Sequence, residues 1–358
     1  MNILDDIEQI RAHDPENMYN RVFDFPEQLT EAMKIGKGWK FDPNAFSGIK
    51  NIVMVGMGGS AIGGALMRSY LRTKLLGPVE ICRTYSLPEY VDDETLVIVA
   101  SYSGNTEETL AAADDAIGRK AMIAAIGTGG FLEELSRVND IPMAKVPSGL
   151  QPRAALGYLF ALTMIFLEQV GQNKGYSKEM EKVILGLQKH REKYIEDNST
   201  TINPAKNLAQ KLAKKMVVIY SGPTLTDAVA DRWKSQICEN AKTLAWSNQF
   251  PEFNHNELVG WSESVEEHKD HLAVVILRDL GDHPQVRQRM NIVGEVIRSR
   301  GVDVTDVHTR GETPLERMLS LVQFGDFVSY YLAILNGVDP TPVRVIETLK
   351  RALAEAKK

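Results

Sequence analysis

The sequence predicts an α/β protein with two mainly parallel sheets, each flanked by helices in three layers. Short apolar runs alternate with longer helix-like stretches in the first half of the chain, and the same alternation returns in the second half. More than a dozen residues separate most runs, a spacing typical of buried parallel strands joined by crossover helices. The predicted strands are 51–57, 79–85, 95–101, 122–128, 142–147, 215–222, 243–250, 272–279 and 302–309.

The length of 358 residues exceeds one average hydrophobic core, so we expect more than one domain. A helical segment (1–45) would precede a first α/β domain (46–165), and a helical connector (166–200) would lead to a second one (201–358). A charged stretch, 174–198, predicts a solvated helix, and the apolar stretch 320–338 predicts a long buried one. We also expect a helix between each pair of strands in the second domain.

Composition narrows the class of protein. The net charge is −6, which gives no reason to expect nucleic acid or anionic lipid as a partner. The acidic N-terminus lacks the layout of an export signal, and no uninterrupted apolar run approaches the roughly 18 residues that span a bilayer. Cys82 and Cys238 are far apart and no cluster has metal-ligand spacing, so we expect a cytoplasmic protein without metal or cofactor.

Two loops rich in glycine and hydroxyl groups follow predicted strands and precede predicted helices. They are VGMGGSAIGG (55–64) and SYSGNTEETL (101–110). In open parallel sheets ligands bind beyond the carboxyl ends of the strands, and a helix N-terminus binds phosphate through its free N–H groups. The candidate phosphate-binding residues are Gly59, Ser60, Ser101, Ser103 and Thr106.

Three interpretations of these loops compete. Each loop alone is compatible with an ordinary strand-to-helix turn. Gly56, Gly58 and Ala61 fit a dinucleotide fingerprint, but the second strand ends in CRTYSLP, which lacks the acidic residue that holds the ribose. A phosphate monoester held between both loops would use all their hydroxyls, so we favour a small phosphorylated ligand.

Six motifs together resemble the bifunctional phosphoglucose/phosphomannose isomerases of the sugar-isomerase (SIS) domain superfamily. The motifs are GMGGSAIGG, SYSGNTEET, QPRAALGY, CENAK, PEFNHNELVGW and LNGVDPTPV, in the order of the family. The resemblance implies two SIS domains and a homodimer. It also implies phosphate binding by the loop residues, a base at Glu239, an enediolate-stabilising Arg153, and ring opening by His255 donated across the dimer.

The resemblance is incomplete at the C-terminal catalytic lysine of the family. HTRGETPLERMLSL contains no lysine, and Arg317 is the nearest cation to the implied position. Arginine stays charged at working pH, so it suits binding better than proton donation. Thr309 and Thr313 both qualify as the threonine that the family associates with dual specificity.

The resemblance implies an aldose–ketose isomerase that acts on glucose 6-phosphate and mannose 6-phosphate through a cis-enediol, without a metal. Val229, Trp233 and Ile237 form an apolar helical stripe, and Glu239 lies roughly opposite. The alternative is a regulatory protein that binds sugar phosphates without chemistry. Such a binder would need the loops but not Glu239, Arg153 and His255 together. An amino-sugar phosphate enzyme is a third option, which usually brings a glutaminase domain.

Overall fold

The computed structural model describes residues 2–75, 77–262 and 264–356, which form two separate parallel sheets. The first sheet has the strand order β2-β1-β3-β4-β5 and the second has the order β7-β6-β8-β9. All nine predicted strands are present. They are β1 (Asn51–Val55), β2 (Val79–Cys82), β3 (Thr95–Ser101), β4 (Met122–Gly127), β5 (Met143–Lys145), β6 (Met216–Ser221), β7 (Ala245–Gln249), β8 (Leu272–Arg278) and β9 (Asp303–His308).

Helices surround both sheets. Three precede the first sheet: α1 (Ile7–Ala12), α2 (Met18–Phe23) and α3 (Phe25–Gly38). Within and after the first sheet come α4 (Gly58–Leu71), α5 (Glu107–Gly118), α6 (Gly130–Val138), α7 (Leu156–Gln169), α8 (Tyr176–Arg191) and α9 (Pro204–Leu212). Between the strands of the second sheet in the chain come α10 (Asp227–Ala241) and α11 (Pro284–Ser299), and after them come α12 (Pro314–Leu335) and α13 (Arg344–Ala356).

One predicted helix is wrong. The connection between β7 and β8 is made of four short 3-10 helices instead of an α-helix: Glu252–His255, Glu257–Trp261, Ser264–Glu267 and Lys269–His271. Pro251, Asn256 and Gly260 interrupt this stretch, and residues of these types end helices rather than continue them.

Each strand of the first sheet divides its side chains between two cores. Ile52 and Met54 of β1 belong to a large apolar cluster that also contains residues of α4 and α7. Val53 and Val55 point to the other face, where they pack with residues of α5 and α6. This alternation follows from the two-residue period of a strand. Helices cover both faces of the sheet, which explains why the inner strands β1, β3 and β4 consist almost entirely of apolar residues.

The second sheet repeats the arrangement and shares one core with the first. Val217 and Ile219 of β6 belong to the same large cluster as β1, together with residues of α10 and α12. Val218 and Tyr220 face the opposite side, where α11 covers them. The helices α4, α7, α10 and α12 therefore form a common layer between the two sheets, and α10 contacts α4 directly.

Helix α12 is the central helix of this layer. Its length and composition would suit a membrane span, but 94% of its most apolar 18-residue window is buried inside the protein. Helix α8 packs against α12 and α3, and Tyr176, Met180 and Leu187 are buried. The prediction of a solvated helix is therefore wrong for one face of α8, because its apolar residues recur at helical spacing among the charges.

The N-terminal residues are tied to the rest of the protein by a buried lysine. The ammonium group of Lys206 donates to the carbonyl oxygens of Leu4, Glu196 and Asn198 at 2.5, 2.7 and 2.8 Å. The Asp5 carboxylate accepts hydrogen bonds from the amide and hydroxyl of Thr200. Residues 2–5 therefore form part of the structure that surrounds α12.

Candidate active site

The loop between β1 and α4 packs directly against the turn that carries Arg153. Helix α4 begins at Gly58, and the N-cap residue Met57 gives it no side-chain hydrogen bond in the described structure. A Cβ atom on Gly59 would lie 2.7 Å from the backbone nitrogen of Arg153, closer than real Cβ atoms approach. Glycine at position 59 is therefore what allows the start of α4 to reach the Arg153 turn.

The loop between β3 and α5 is joined to the first loop. The Tyr102 amide donates to the Ser60 hydroxyl at 3.1 Å. Gly104 has φ +69°, and a Cβ on it would lie 1.8 Å from the carbonyl oxygen of Gly129. The chain thus turns tightly between β3 and α5, and the two loops meet at the carboxyl edge of the first sheet, as the sequence predicted.

Hydroxyl groups and two helix N-termini converge where the loops meet. The Ser101 hydroxyl donates to the Thr106 hydroxyl at 3.1 Å. Thr106 is the N-cap residue of α5. In the described structure its side chain accepts no hydrogen bond from the first N–H groups of that helix. Ser60 and Ser101 are buried, whereas Ser103 is exposed. Free N–H groups at helix starts bind anions, so this edge suits a phosphate group.

Arg153 is the most heavily bonded cation beside these loops. Its side chain is only 3% exposed, and its Nε donates to the Asn240 side-chain oxygen at 2.7 Å. Nη2 donates to the carbonyl oxygens of Pro340 and Thr341, both at 2.8 Å, and Nη1 lies 3.4 Å from Glu239 Oε2. Burial lowers the pKa of Arg153 while Glu239 opposes this effect. An arginine remains cationic under such conditions.

Helix α10 presents Glu239 to Arg153. Val229, Trp233 and Ile237 are buried in the common core, as the apolar stripe predicted. The Glu239 side chain is 27% exposed and lies on the other side of the helix, where it faces the first sheet's loops. The helix therefore anchors through one face and offers a carboxylate from the other.

A third row of α10, which is polar and buried, fixes the helix against α12. The Arg232 guanidinium donates to both carboxylate oxygens of Asp326, and Gln236 donates to the same carboxylate at 2.9 Å. Asn240 donates to the Ser329 hydroxyl at 2.9 Å while accepting from Arg153. Because these hydrogen bonds hold α10 against α12 in one arrangement, they fix the position of Glu239 relative to Arg153.

A cleft of about 190 Å³ lies between the first loop and α10. Sites for drug-sized ligands usually measure roughly 300–1,000 Å³, so this cleft suits a single sugar ring better than a nucleotide. The charged or loop residues that line it are Gly58, Gly59, Arg83, Arg153, Asp231, Arg232, Lys234 and Glu239.

A second cavity, of about 630 Å³, adjoins Glu239 from the side of the C-terminal turn. Lys242 and Asp339 line it with Glu239. The Lys242 ammonium donates to the carbonyl oxygens of Glu239 and Pro340 at 2.6 and 3.2 Å. Burial, assisted by the positive charge of Arg153, lowers the pKa of Lys242 to about 8. Arg153 and Lys242 therefore both donate to the carbonyl oxygen of Pro340.

The structure does not bring His255 and Arg317 to Glu239 within the chain. His255 is exposed at the end of the 3-10 helix that follows β7, and it lines neither cavity. Arg317 is buried and pairs with Asp279, with 2.7 Å between Nε and Oδ1. Its guanidinium therefore serves an ion pair at the carboxyl edge of the second sheet.

The two candidate specificity threonines also lie at that edge. The Thr309 hydroxyl donates to Asp279 Oδ1 at 2.8 Å, the same atom that Arg317 contacts. Thr313 is the N-cap of α12 and accepts from the Glu316 amide at 3.2 Å. Both hydroxyls have structural partners, and neither lines the cleft.

Sequence reasoning missed several residues that line the cleft or the second cavity. Arg83 directly follows β2, and a cation at the carboxyl end of a strand was a usable signal. Lys234 precedes Glu239 by five positions on α10, and Lys242 ends that helix with φ +54°. No local pattern distinguishes these two lysines from ordinary surface residues. Among the described residues, no group of three or more His, Cys, Asp or Glu side chains could hold a metal ion.

The two sheets with their helical layers, and the paired loops at the edge of the first sheet, define an SIS-type α/β protein. The C-terminal domain of glucosamine-fructose-6-phosphate aminotransferase from Francisella tularensis superposes with a TM-score of 0.72. The comparison covers 91% of this chain and 98% of that one, at 14% identity, so it shows the fold alone. The model of the bacterial phospho-glucose isomerase C-terminal SIS domain matches residues 201–353.

Sequence relatives identify the family within this class. A bifunctional phosphoglucose/phosphomannose isomerase from Caldicellulosiruptor bescii is 43% identical over 340 residues, which cover 95% of this chain and 100% of the relative. A protein with the same description from Aquifex aeolicus is 34% identical, covering 91% and 99%. The chain belongs to the bifunctional phosphoglucose/phosphomannose isomerase family.

Proposed function

We propose that this protein is an aldose–ketose isomerase that interconverts glucose 6-phosphate, and also mannose 6-phosphate, with fructose 6-phosphate. The observation that carries the proposal is the Glu239 carboxylate beside Arg153, in a cleft whose opposite wall is the start of α4. A base, a fixed cation and an anion-binding turn are the three parts that the reaction needs. Membership of the family supports the same activity.

The phosphate group would bind where the two loops meet. Uncapped N–H groups at the starts of α4 and α5, with the hydroxyls of Ser60, Ser101, Ser103 and Thr106, would hold the dianion. Backbone donors at helix starts bind phosphate without a lysine, which fits the scarcity of basic residues in both loops.

The sugar would extend from this phosphate along the cleft toward α10. Glu239 would remove the proton from C2 of the open-chain aldose, and electrons would move onto the C1 carbonyl oxygen to form an enediolate. The proton of the C2 hydroxyl would move to O1, and return of the carbon-bound proton from Glu239 to C1 would leave a carbonyl at C2, which gives the ketose. One carboxylate within reach of both carbons is sufficient. Glucose and mannose phosphates differ only at C2, so both would give the same intermediate.

Arg153 would stabilise the negative charge of the enediolate. Its Nε and Nη2 donors are already committed to Asn240 and to two carbonyl oxygens, so only Nη1 faces the Glu239 side of the cleft. A guanidinium fixed in this way needs no reorganisation when charge develops, which is the basis of electrostatic catalysis.

His255 would open the pyranose ring in the site of a second copy of the chain. Two observations support this proposal. His255 is exposed and lines neither cavity that adjoins its own Glu239. Helix α13 carries Val345, Leu349 and Leu353 at a spacing of four residues, and all three are largely exposed in the single chain. An apolar stripe of this kind suits burial against another subunit.

The proposal includes the domain organisation and the cellular setting that the sequence predicted. The two SIS domains would be residues 46–165 and 201–358, with the phosphate site on the first and Glu239 on the second. The enzyme would work in the cytoplasm on soluble sugar phosphates. A purely regulatory binder is disfavoured because it would have no use for a base and a fixed cation beside the phosphate loops.

A coupled assay on the purified protein tests the activity. Fructose 6-phosphate formed from either aldose phosphate, or glucose 6-phosphate formed from fructose 6-phosphate, would be measured with EDTA present. We expect turnover in EDTA with both aldose phosphates. Absence of turnover with both would contradict the proposed function.

A further inference from the structure

The cleft contains cationic side chains to which the proposed mechanism gives no role. Arg232 is neutralised by Asp326, to which it donates two hydrogen bonds. Most N–H groups of Arg153 already donate hydrogen bonds to other atoms of the protein. Arg83 and Lys234 line the same cleft, and in the described part of the chain neither forms an ion pair or side-chain hydrogen bond. Their donors are available to a ligand.

Arg83 is placed at the substrate by the register of the first sheet. Cys82 is the last residue of β2 and pairs with Val55, and its carbonyl oxygen accepts from the Gly56 amide at 3.3 Å. Arg83 is therefore the first residue beyond the sheet on the strand next to β1, level with the start of the first loop. It is exposed, and its side chain reaches the cleft beside Gly58 and Gly59.

The position of Arg83 separates it from the phosphate. The loop from β3, with Ser101, Ser103 and Thr106, lies on the other side of β1 from β2. These three residues do not line the cleft that contains Arg83 and Glu239. A phosphate held by both loops therefore leaves Arg83 beside the sugar portion of the ligand.

We propose that Arg83 is a substrate-binding residue that donates hydrogen bonds to the sugar oxygens of the substrate, from the wall opposite α10. The inference rests on the proposed function, since it takes a hexose phosphate as the ligand. The contact is made in the ground state and in the transition state alike. Loss of such a contact raises KM and leaves kcat nearly unchanged.

Kinetics of Arg83→Met test this assignment, with Arg137→Met as the control. Arg137 is an exposed arginine on α6, outside the cleft. We expect KM for glucose 6-phosphate and fructose 6-phosphate to rise about tenfold in Arg83→Met, with kcat within about twofold of wild type. Inhibition by inorganic phosphate should be unchanged in the same variant. Unchanged KM, or a parallel loss of phosphate inhibition, would overturn the assignment.

Measurements of KM at several salt concentrations distinguish a direct contact between Arg83 and the sugar from long-range attraction of the anionic substrate. Lys234→Met removes a cation from the opposite wall, so a purely long-range effect would be similar in the two variants and would vanish at high ionic strength. We expect the KM effect of Arg83→Met to persist in 0.5 M salt. An effect that disappears there in both variants would overturn the proposal.

Calorimetry measures the affinity for the sugar phosphate directly, so it tests the role of Arg83 without requiring isomerisation. Fructose 6-phosphate is titrated into the wild type and into Arg83→Met, and inorganic phosphate is titrated into both. Weaker binding of the sugar phosphate with unchanged binding of phosphate supports the role of Arg83 even if no isomerisation occurs. Equal affinities of both proteins for fructose 6-phosphate would overturn it.

Discussion

Arg153 Nη1 lies 3.4 Å from Glu239 Oε2, although the two residues are 86 positions apart in the chain. Arg153 follows the first sheet, and Glu239 lies in the last turn of α10, the helix after the first strand of the second sheet. Their contact therefore depends on how α10 is held against α4 and α12. The buried partners of α10, above all Asp326, connect packing between the two sheets to the geometry of the site.

Glycine 59 provides the first test of that geometry. We predict that Gly59→Ala lowers kcat/KM on the order of 10²-fold, because its Cβ would meet the Arg153 backbone at 2.7 Å and push the turn away from the loop. Gly118→Ala is the control, since no atom lies within 4 Å of the added Cβ. Steady-state kinetics of both variants check this. Equal activity of the two would show that the close approach is unimportant.

Subunit mixing tests the origin of the histidine. We predict that Glu239→Gln and His255→Ala are each inactive alone, and that an equal mixture, unfolded and refolded together, regains about a quarter of wild-type activity. Half of the dimers would be mixed, and each mixed dimer would contain one intact site. The control is each variant refolded by itself. A mixture that stays inactive would place His255 outside the partner's site.

Lysine 206 tests how the N-terminal residues are held. We predict that Lys206→Met lowers the free energy of unfolding by about 3 kcal/mol, since two buried carbonyl oxygens and one partly buried carbonyl oxygen lose their donor. Lys211→Met, at an exposed position on the same helix, should change it by less than about 0.5 kcal/mol. Urea unfolding measures both. Limited proteolysis should cut near residue 5 faster in Lys206→Met only, and equal stability of the two variants would refute the role of the ammonium group.

The Asp282 carboxyl group makes stability depend on pH. Burial, with the nearby Asp279 carboxylate, raises the pKa of Asp282 from 3.8 to about 6. The folded state then binds the proton more tightly than the unfolded state, so the contribution of this group to stability falls as pH rises from about 4 to about 6. The loss is at most about 3 kcal/mol at 1.36 kcal/mol for each pKa unit.

Replacement of Asp282 by asparagine removes this dependence. We predict that Asp282→Asn gains stability relative to wild type as pH rises from 4 to 7. Asp93→Asn, at an exposed position, is the control for the loss of a carboxyl group. Denaturant unfolding across this pH range measures both differences. A flat difference for Asp282→Asn would show that its carboxyl group titrates normally in the folded protein.

The strands and the meeting of the two loops could be predicted because they depend on local signals and one general rule. Apolar runs mark buried strands, and the carboxyl edges of parallel strands lie together, so the loops that contain Ser60 and Ser101 were expected to be close. The hydrogen bond from the Tyr102 amide to the Ser60 hydroxyl joins these loops. The apolar stripe of α10 likewise placed Glu239 on the face away from the core.

The remaining features depend on contacts between distant segments. Arg153 is positioned by carbonyl oxygens at Pro340 and Thr341, and Lys242 acquires its lowered pKa from the same surroundings. Neither sequence neighbourhood contains that information. The buried ion pair between Arg317 and Asp279 could not be predicted either, because the residues around an arginine on a helix do not indicate which distant carboxylate it will contact.

Solvent exchange in D₂O tests the central claim most directly. Fructose 6-phosphate or glucose 6-phosphate is incubated with wild-type protein and with Glu239→Gln, and deuterium at C1 and C2 is followed by proton NMR, while calorimetry measures binding of fructose 6-phosphate. The account predicts exchange by the wild type, and loss of exchange by at least about 10³-fold in Glu239→Gln with binding kept. Exchange at the wild-type rate in Glu239→Gln would contradict it.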